Sequence, residues 1–232
     1  MRKRVLAALL AAAMCVLLLA GCSDSGSAGI NGGNGNQTSS SGSASVKLLG
    51  ASWYRSGSYI NQTYAVEVTN NNKNKAISLA QLTVTVKDAE DRIVKTDTSY
   101  TGTIAAGDTV RYVGYCMFQG GEPSKISVSI STPSYGYVDN STAIYSSELS
   151  VSNVNYISGQ YYSRVTGQVT NSSKNDASMV LVSIIFKKNG TVLGGTYSYI
   201  TNVNAGSTVP FEVMIDESGI DFDTYQVTAI DW

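Results

Sequence analysis

Apolar and polar positions alternate with period two through much of the chain, as in Leu82-Thr83-Val84-Thr85-Val86. Successive side chains of a strand point to opposite faces, so this period marks strands with one buried face. Val180 to Phe186 is a run rich in branched apolar residues and also reads as a strand. No stretch carries a sustained helical stripe, and the chain has only 3 prolines to interrupt a sheet. The pattern predicts strands over about 46–54, 60–69, 78–87, 92–98, 108–118 and 124–131. A second set is predicted over about 146–156, 160–170, 178–188, 191–200, 207–215 and 224–231.

Turn chemistry separates these segments. Lys188-Asn189-Gly190-Thr191 predicts a tight hairpin, because Asn-Gly accepts the positive φ values of a type I′ turn. Asp88-Ala89-Glu90-Asp91 is the longer counterpart in the first set. Ala106-Gly107-Asp108 and Ala205-Gly206-Ser207 each supply a flexible turn residue before a further strand.

The two sets are copies. Val66-Glu67-Val68-Thr69-Asn70 precedes Lys73-Asn74-Lys75-Ala76, and Gly167-Gln168-Val169-Thr170-Asn171 precedes Lys174-Asn175-Asp176-Ala177. Ile104-Ala105-Ala106-Gly107-Asp108-Thr109-Val110 likewise matches Val203-Asn204-Ala205-Gly206-Ser207-Thr208-Val209. The offset is 101 residues between Asn70 and Asn171 and 99 between Gly107 and Gly206, so small loop changes separate the copies. A period this long predicts tandem domains, 45–132 and 142–232, joined by a junction at 133–141. Short strands with turns every 8–12 residues predict that each is a sandwich of two antiparallel sheets.

The first 44 residues differ in kind. Arg2, Lys3 and Arg4 precede an uncharged apolar run to Ala20, which reads as a secretory signal peptide over 1–21. The run is shorter than the roughly 20 apolar residues a spanning helix needs. It ends in Leu19-Ala20-Gly21-Cys22, which resembles the lipobox of bacterial lipoproteins. That resemblance implies cleavage before Cys22 and a diacylglyceryl group on its sulfur. Residues 22–44, with Gly32-Gly33-Asn34-Gly35-Asn36 at the centre, predict a disordered, flexible linker.

The tandem repeat resembles the FxLYD-type lipoprotein domains of Gram-positive bacteria. The second copy carries Gly167-Gln168-Val169-Thr170-Asn171 and Ala205-Gly206 followed by Phe211, while the first has Val66 for the Gly and Tyr112 for the Phe. The resemblance implies two immunoglobulin-like β-sandwiches. It implies no activity, since function lives in sites grafted on a fold.

Composition narrows the chemistry. Removing the three basic residues of the leader from 16 leaves 13 against 17 acidic groups, a net charge of −4. Such a chain offers no basic footprint for nucleic acid or for anionic lipid. Cys15 leaves with the leader and Cys22 carries lipid, so Cys116 alone remains and an intramolecular disulfide is excluded. There are 0 histidines, so a nucleophilic triad would need lysine or an amine as its base.

Cys116 shares a strand face with Val110, Tyr112, Gly114 and Phe118, and its repeat partner is Ile215, which predicts a core thiol. Zinc has no Cys/His cluster to use. Asp88, Glu90 and Asp91, and separately Asp216, Glu217, Asp221 and Asp223, form acidic turns without a calcium-loop pattern. The expectation is therefore no catalytic residue, no metal and no cofactor.

Tyrosine is the abundant side chain, with 15 copies. Tyr54, Tyr59 and Tyr64 cluster in the first copy, Tyr135, Tyr137 and Tyr145 flank the junction, and Tyr156, Tyr161 and Tyr162 follow. Exposed tyrosines make low-entropy contacts with proteins and stack on sugars, and Tyr135 and Tyr137 are the candidate binding pair. The expected role is a non-catalytic binding module on the outer face of the cytoplasmic membrane. Its lipid holds the membrane, and its domains meet a protein or cell-wall partner. A carbohydrate-binding module and a ligand-free spacer are the alternatives.

Overall fold

The computed structural model describes residues 28–31, 38–40, 43–134, 136–159, 162–215 and 220–232. The signal peptide, the lipobox Leu19-Ala20-Gly21 and Cys22 lie outside the described residues, as do Tyr135, Tyr161, Asp216 and Glu217. Among the described residues no helix is long and apolar enough to cross a membrane.

The strands are β1 (Ala28–Asn31), β2 (Thr38–Ser40), β3 (Ala44–Ser56), β4 (Tyr59–Asn70), β5 (Lys75–Ile77), β6 (Gln81–Lys87), β7 (Ile93–Tyr100), β8 (Thr109–Phe118) and β9 (Lys125–Ser131). They continue with β10 (Tyr137–Asp139), β11 (Leu149–Ile157), β12 (Ser163–Asn171), β13 (Ala177–Lys188), β14 (Thr191–Val203), β15 (Thr208–Ile215) and β16 (Thr224–Asp231). The fold is all-β, as the alternation predicts, and every pairing between these strands is antiparallel.

Both copies use one topology. Sheet β3-β4-β8 faces sheet β7-β6-β9 in the first unit, and sheet β11-β12-β15 faces sheet β14-β13-β16 in the second. The inward residues of β6 are Leu82, Val84 and Val86, those of β4 include Val66 and Val68, and all are buried together. In the second unit Val165 and Val169 of β12 meet Val182 and Ile184 of β13. The 189–190 hairpin forms as the sequence predicts, with Asn189 at φ 49° and Gly190 at φ 79°.

The repeated asparagine has a structural task. Asn70 is buried, and its Nδ2 donates to the carbonyls of Lys75, Ile104 and Ala105 at 2.9–3.0 Å. Asn171 does the same in the second unit, donating to Asn175 and Val203. Each side chain thus clips the turn after its strand to the loop before the next, and satisfies carbonyls that burial would otherwise leave bare.

Four strands lie outside the predicted set. β1 and β2 fall in the stretch expected to be a free linker, and both pair along the open edge of β3. An edge strand presents unpaired amides and carbonyls, so even a Ser/Gly-rich segment can add to it. β10 falls in the expected junction and pairs with β5, joining 137–139 to the first unit.

The largest departure from a chain of loosely joined domains is how the two units meet. β14 packs against β3, β4 and β8, while β13 and β16 pack against β8. Sheet β14-β13-β16 therefore lies face-on to sheet β3-β4-β8, and the molecule is a stack of four sheets. Val180, Val182 and Ile184 of β13 enter the second unit's core, whereas Leu181 and Ile185 join clusters with residues of the first. The unbroken apolar run is thus a strand buried on both faces.

Burial of Val113, Leu181, Ile185 and Ile230 contributes about 1.5–3 kcal/mol for each side chain, more than the ~1 kcal/mol net of one hydrogen bond. Apolar contact holds the units together, and polar contacts set their register. The Val113 N–H donates to Ser183 Oγ at 3.2 Å, and Thr228 Oγ1 donates to the Arg111 carbonyl at 2.9 Å. At Gly50 the Val192 carbonyl approaches so closely that a Cβ would collide with it.

Candidate functional site

The two facing sheets do not cover one another fully, and where they part they leave a cleft of about 380 Å³. Its walls come from both units: Tyr54, Asn61, Gln62, Thr63 and Tyr115 on one side, and Phe186, Gly195, Thr196, Tyr197, Ile215 and Ile220 on the other. Clefts between packed domains are common places for ligands, and this volume is within the ~300–1,000 Å³ usual for such sites.

Strand register explains why these residues meet. Tyr54 of β3 pairs with Asn61 of β4, and Thr63 of β4 pairs with Tyr115 of β8. Tyr54, Asn61, Thr63 and Tyr115 belong to the alternation opposite the core residues Trp53, Ile60, Tyr64 and Cys116, so they share the outer face of the sheet. The second unit covers that face at Thr63 and Ala65 and stops short of Tyr115, whose side chain is 52% exposed. Phe186 and Ile215 are buried and form an apolar end, with Phe186 stacked on Phe222 at 4.3 Å between ring centroids.

Among the described residues the lining contains no acidic or basic side chain. Burial pushes the Tyr197 phenol up, and the neighbouring Tyr115 phenol adds to that, against a hydrogen bond with Tyr199. The Tyr197 phenol is therefore neutral near pH 7. Thr63 Oγ1 is committed to Gly195. Gln62 turns inward, where Nε2 donates to the carbonyls of Ser52 and Thr63. Asn61 is half-buried, and its amide makes no side-chain hydrogen bond among the described residues.

No protein-family model matches the chain, and no curated protein matches it. Among solved structures it is similar to the N-terminal CBM22-1–CBM22-2 tandem domain of Xyn10C from Paenibacillus barcinonensis. The identity is 10% and the TM-score 0.20, over 91% of this chain and 92% of that one. A likeness at that TM-score says nothing of what this cleft holds.

The sequence-predicted pair is placed elsewhere or not at all. Tyr135 lies outside the described residues, and Tyr137 stands in β10 with Lys75 Nζ 5.7 Å from its ring centroid. Tyr137 does not line the cleft. Of the tyrosines grouped in the first copy, Tyr54 reaches the cleft, Tyr59 is exposed and Tyr64 is a core residue. Tyr115 and Tyr197 were missed because they lie 82 residues apart, and neither Tyr112 beside the one nor Tyr199 beside the other marks a meeting between the two units. Only the approach of β14 to β8 brings them together.

The acidic turn of the first copy is used locally. Burial of Asp88 opposes its ionisation, but the Arg92 amide and guanidinium outweigh that and hold its carboxyl below the usual range. Asp91 is held low by hydrogen bonds from Lys87 and Lys125. In the second copy Asp221 pairs with Lys188, and Asp223 accepts the Asn189 N–H at 2.7 Å. Cys116 is buried, and that burial pushes its thiol up to about 12.

Proposed function

We propose that the chain is a lipid-anchored surface protein that binds a partner and does not catalyse a reaction. Cys22 carries the lipid, the outer face of the cytoplasmic membrane holds it, and the FxLYD-like repeat supplies the two displayed sandwiches. The observation that carries the binding reading is the cleft, built jointly by both units, rich in rings and, among the described residues, free of acidic and basic groups. A chain with 0 histidines and a protonated, buried Cys116 has no evident nucleophile–base pair to set against that.

Tether geometry fits the same reading. β1 starts at Ala28, shortly after Cys22, and Ala28 pairs with Tyr54 at the cleft. On the order of 20 Å of extended chain separates the two, so the cleft would work close to the membrane. Its partner is then a protein or cell-wall component of the inner wall zone.

Two experiments test the reading. Cys22→Ala should leave an unprocessed, unlipidated chain by mass, heavier by the retained leader and lacking the diacylglyceryl group; a chain of this variant processed as the parent is would remove the anchor. The full-length chain in detergent should co-sediment with purified sacculi at moderate salt, and the Tyr54→Ala/Tyr115→Ala double variant should stay in solution. Equal sedimentation of both would move the contact away from the cleft.

A further inference from the structure

We infer that the cleft takes an uncharged N-acetylated amino sugar within a glycan, an inference that rests on the binding reading above. The lack of a basic side chain among the described lining residues comes first. A phosphate, a uronic acid or an acidic peptide would lose its hydration there with no counter-charge to replace it, at a cost of several kcal/mol. A neutral ligand avoids that loss.

Ring placement comes second. Tyr115 lines one wall and Tyr197 the other, with Tyr54 paired to Asn61 on the neighbouring strand. A pyranose has an apolar face of C–H bonds and a rim of hydroxyls. Tyrosine matches both, with a ring for the face and a phenol for the rim.

The acetamido group follows from Asn61 and the apolar end. The Asn61 side chain offers one carbonyl and one NH₂, the complement of an acetamido N–H and C=O. Among the described residues nothing in its own fold uses these groups. Thr63 cannot serve instead, because its hydroxyl is already bonded to Gly195 at 2.7 Å. Phe186, Ile215 and Ile220 line the same cleft and give the acetyl methyl an apolar surface. A sugar without the acetamido group would leave both features idle.

The test uses the full-length chain in a zwitterionic, sugar-free detergent. It is titrated calorimetrically with the N-acetylglucosamine tetramer and with the glucose tetramer of the same β-1,4 linkage. The acetylated tetramer should bind about tenfold or more tightly than the glucose one. Tyr115→Ala should weaken the acetylated sugar by about tenfold, since an exposed ring can be removed without unfolding. Asn61→Ala should weaken the acetylated sugar by about fivefold or more and leave the glucose tetramer unchanged. Circular dichroism confirms that both variants fold.

Equal affinity for the two sugars, or no effect of Asn61→Ala, overturns acetamido recognition. No binding of either sugar, with sacculus retention still lost in the tyrosine double variant, overturns the sugar and leaves the cleft as a contact site. No binding and no cleft-dependent retention overturns both.

Discussion

Thr63 and Gly195 close a reciprocal pair of hydrogen bonds across the two units: Thr63 Oγ1 donates to the Gly195 carbonyl at 2.7 Å and accepts its N–H at 2.9 Å. One hydroxyl thus satisfies both backbone groups of a residue buried between two sheets. Thr63→Val keeps the shape and leaves that N–H and carbonyl without a partner. The expected loss is about 2–3 kcal/mol, read as a lower denaturant midpoint. Thr63→Ser keeps the hydroxyl and should recover most of it. Equal losses in the two variants would assign the effect to packing of the threonine methyl.

That contact shows where sequence reading stops. Period-two alternation reports that one face of a strand is buried; together with the branched apolar run of 180–186 and the turn signals, it placed all twelve predicted strands close to β3, β4, β6–β9 and β11–β16. It does not report what covers the other face. The second face was marked only by the failure of alternation in 180–186, where Leu181, Ser183 and Ile185 meet the first unit. The cleft was illegible for a related reason. Tyr54, Tyr115 and Tyr197 lie on three strands of two units, and no spacing in the chain links them. β1, β2, β5 and β10 are too short to show a period at all.

Asp231 gives stability a pH dependence. Burial pushes its carboxyl up from the ordinary 3.8 to about 6, so the folded protein favours the protonated form. At pH below about 4 the group is protonated folded and unfolded, and no penalty arises. As pH rises from about 4 through about 6, the unfolded chain ionises first and stability falls. A displacement of that size corresponds to about 3 kcal/mol, and remaining solvent access reduces it to about 1.5 kcal/mol. Asp231→Asn should be more stable than the parent at pH 7 by that amount and lose the advantage near pH 4. Parallel stability curves from pH 4 to 7 would show that Asp231 ionises freely in the fold.

Cys116 provides a thiol count. Its burial and raised pKa leave almost no thiolate at pH 8, so a maleimide should modify it only through unfolding. On the lipidated reading the processed chain has this single thiol. Native protein should then label slowly, at a rate that rises with denaturant, and unfolded protein should take one label at once. A second label taken up rapidly by native protein would identify Cys22 as a free thiol and sink the lipid anchor.

Tyr112 carries a polar group that its surroundings do not use. The side chain is 2% exposed, its ring meets Trp232 edge-on at 5.6 Å, and its hydroxyl is buried without a hydrogen-bond partner among the described residues. Burial also pushes the phenol up, so the group stays neutral and desolvated. The second unit has Phe211 at the equivalent place: Val66 pairs with Tyr112 as Gly167 pairs with Phe211. Tyr112→Phe removes the unsatisfied hydroxyl and keeps the ring contact with Trp232. An unpaired buried hydroxyl costs about 1–3 kcal/mol, against a small cavity where the oxygen was, so the variant should gain about 1 kcal/mol. Chemical denaturation with an unchanged m-value reads that gain directly. A loss of stability instead would mean that a bound water or a partner group satisfies the Tyr112 hydroxyl in solution, and that the tyrosine is there for that bond.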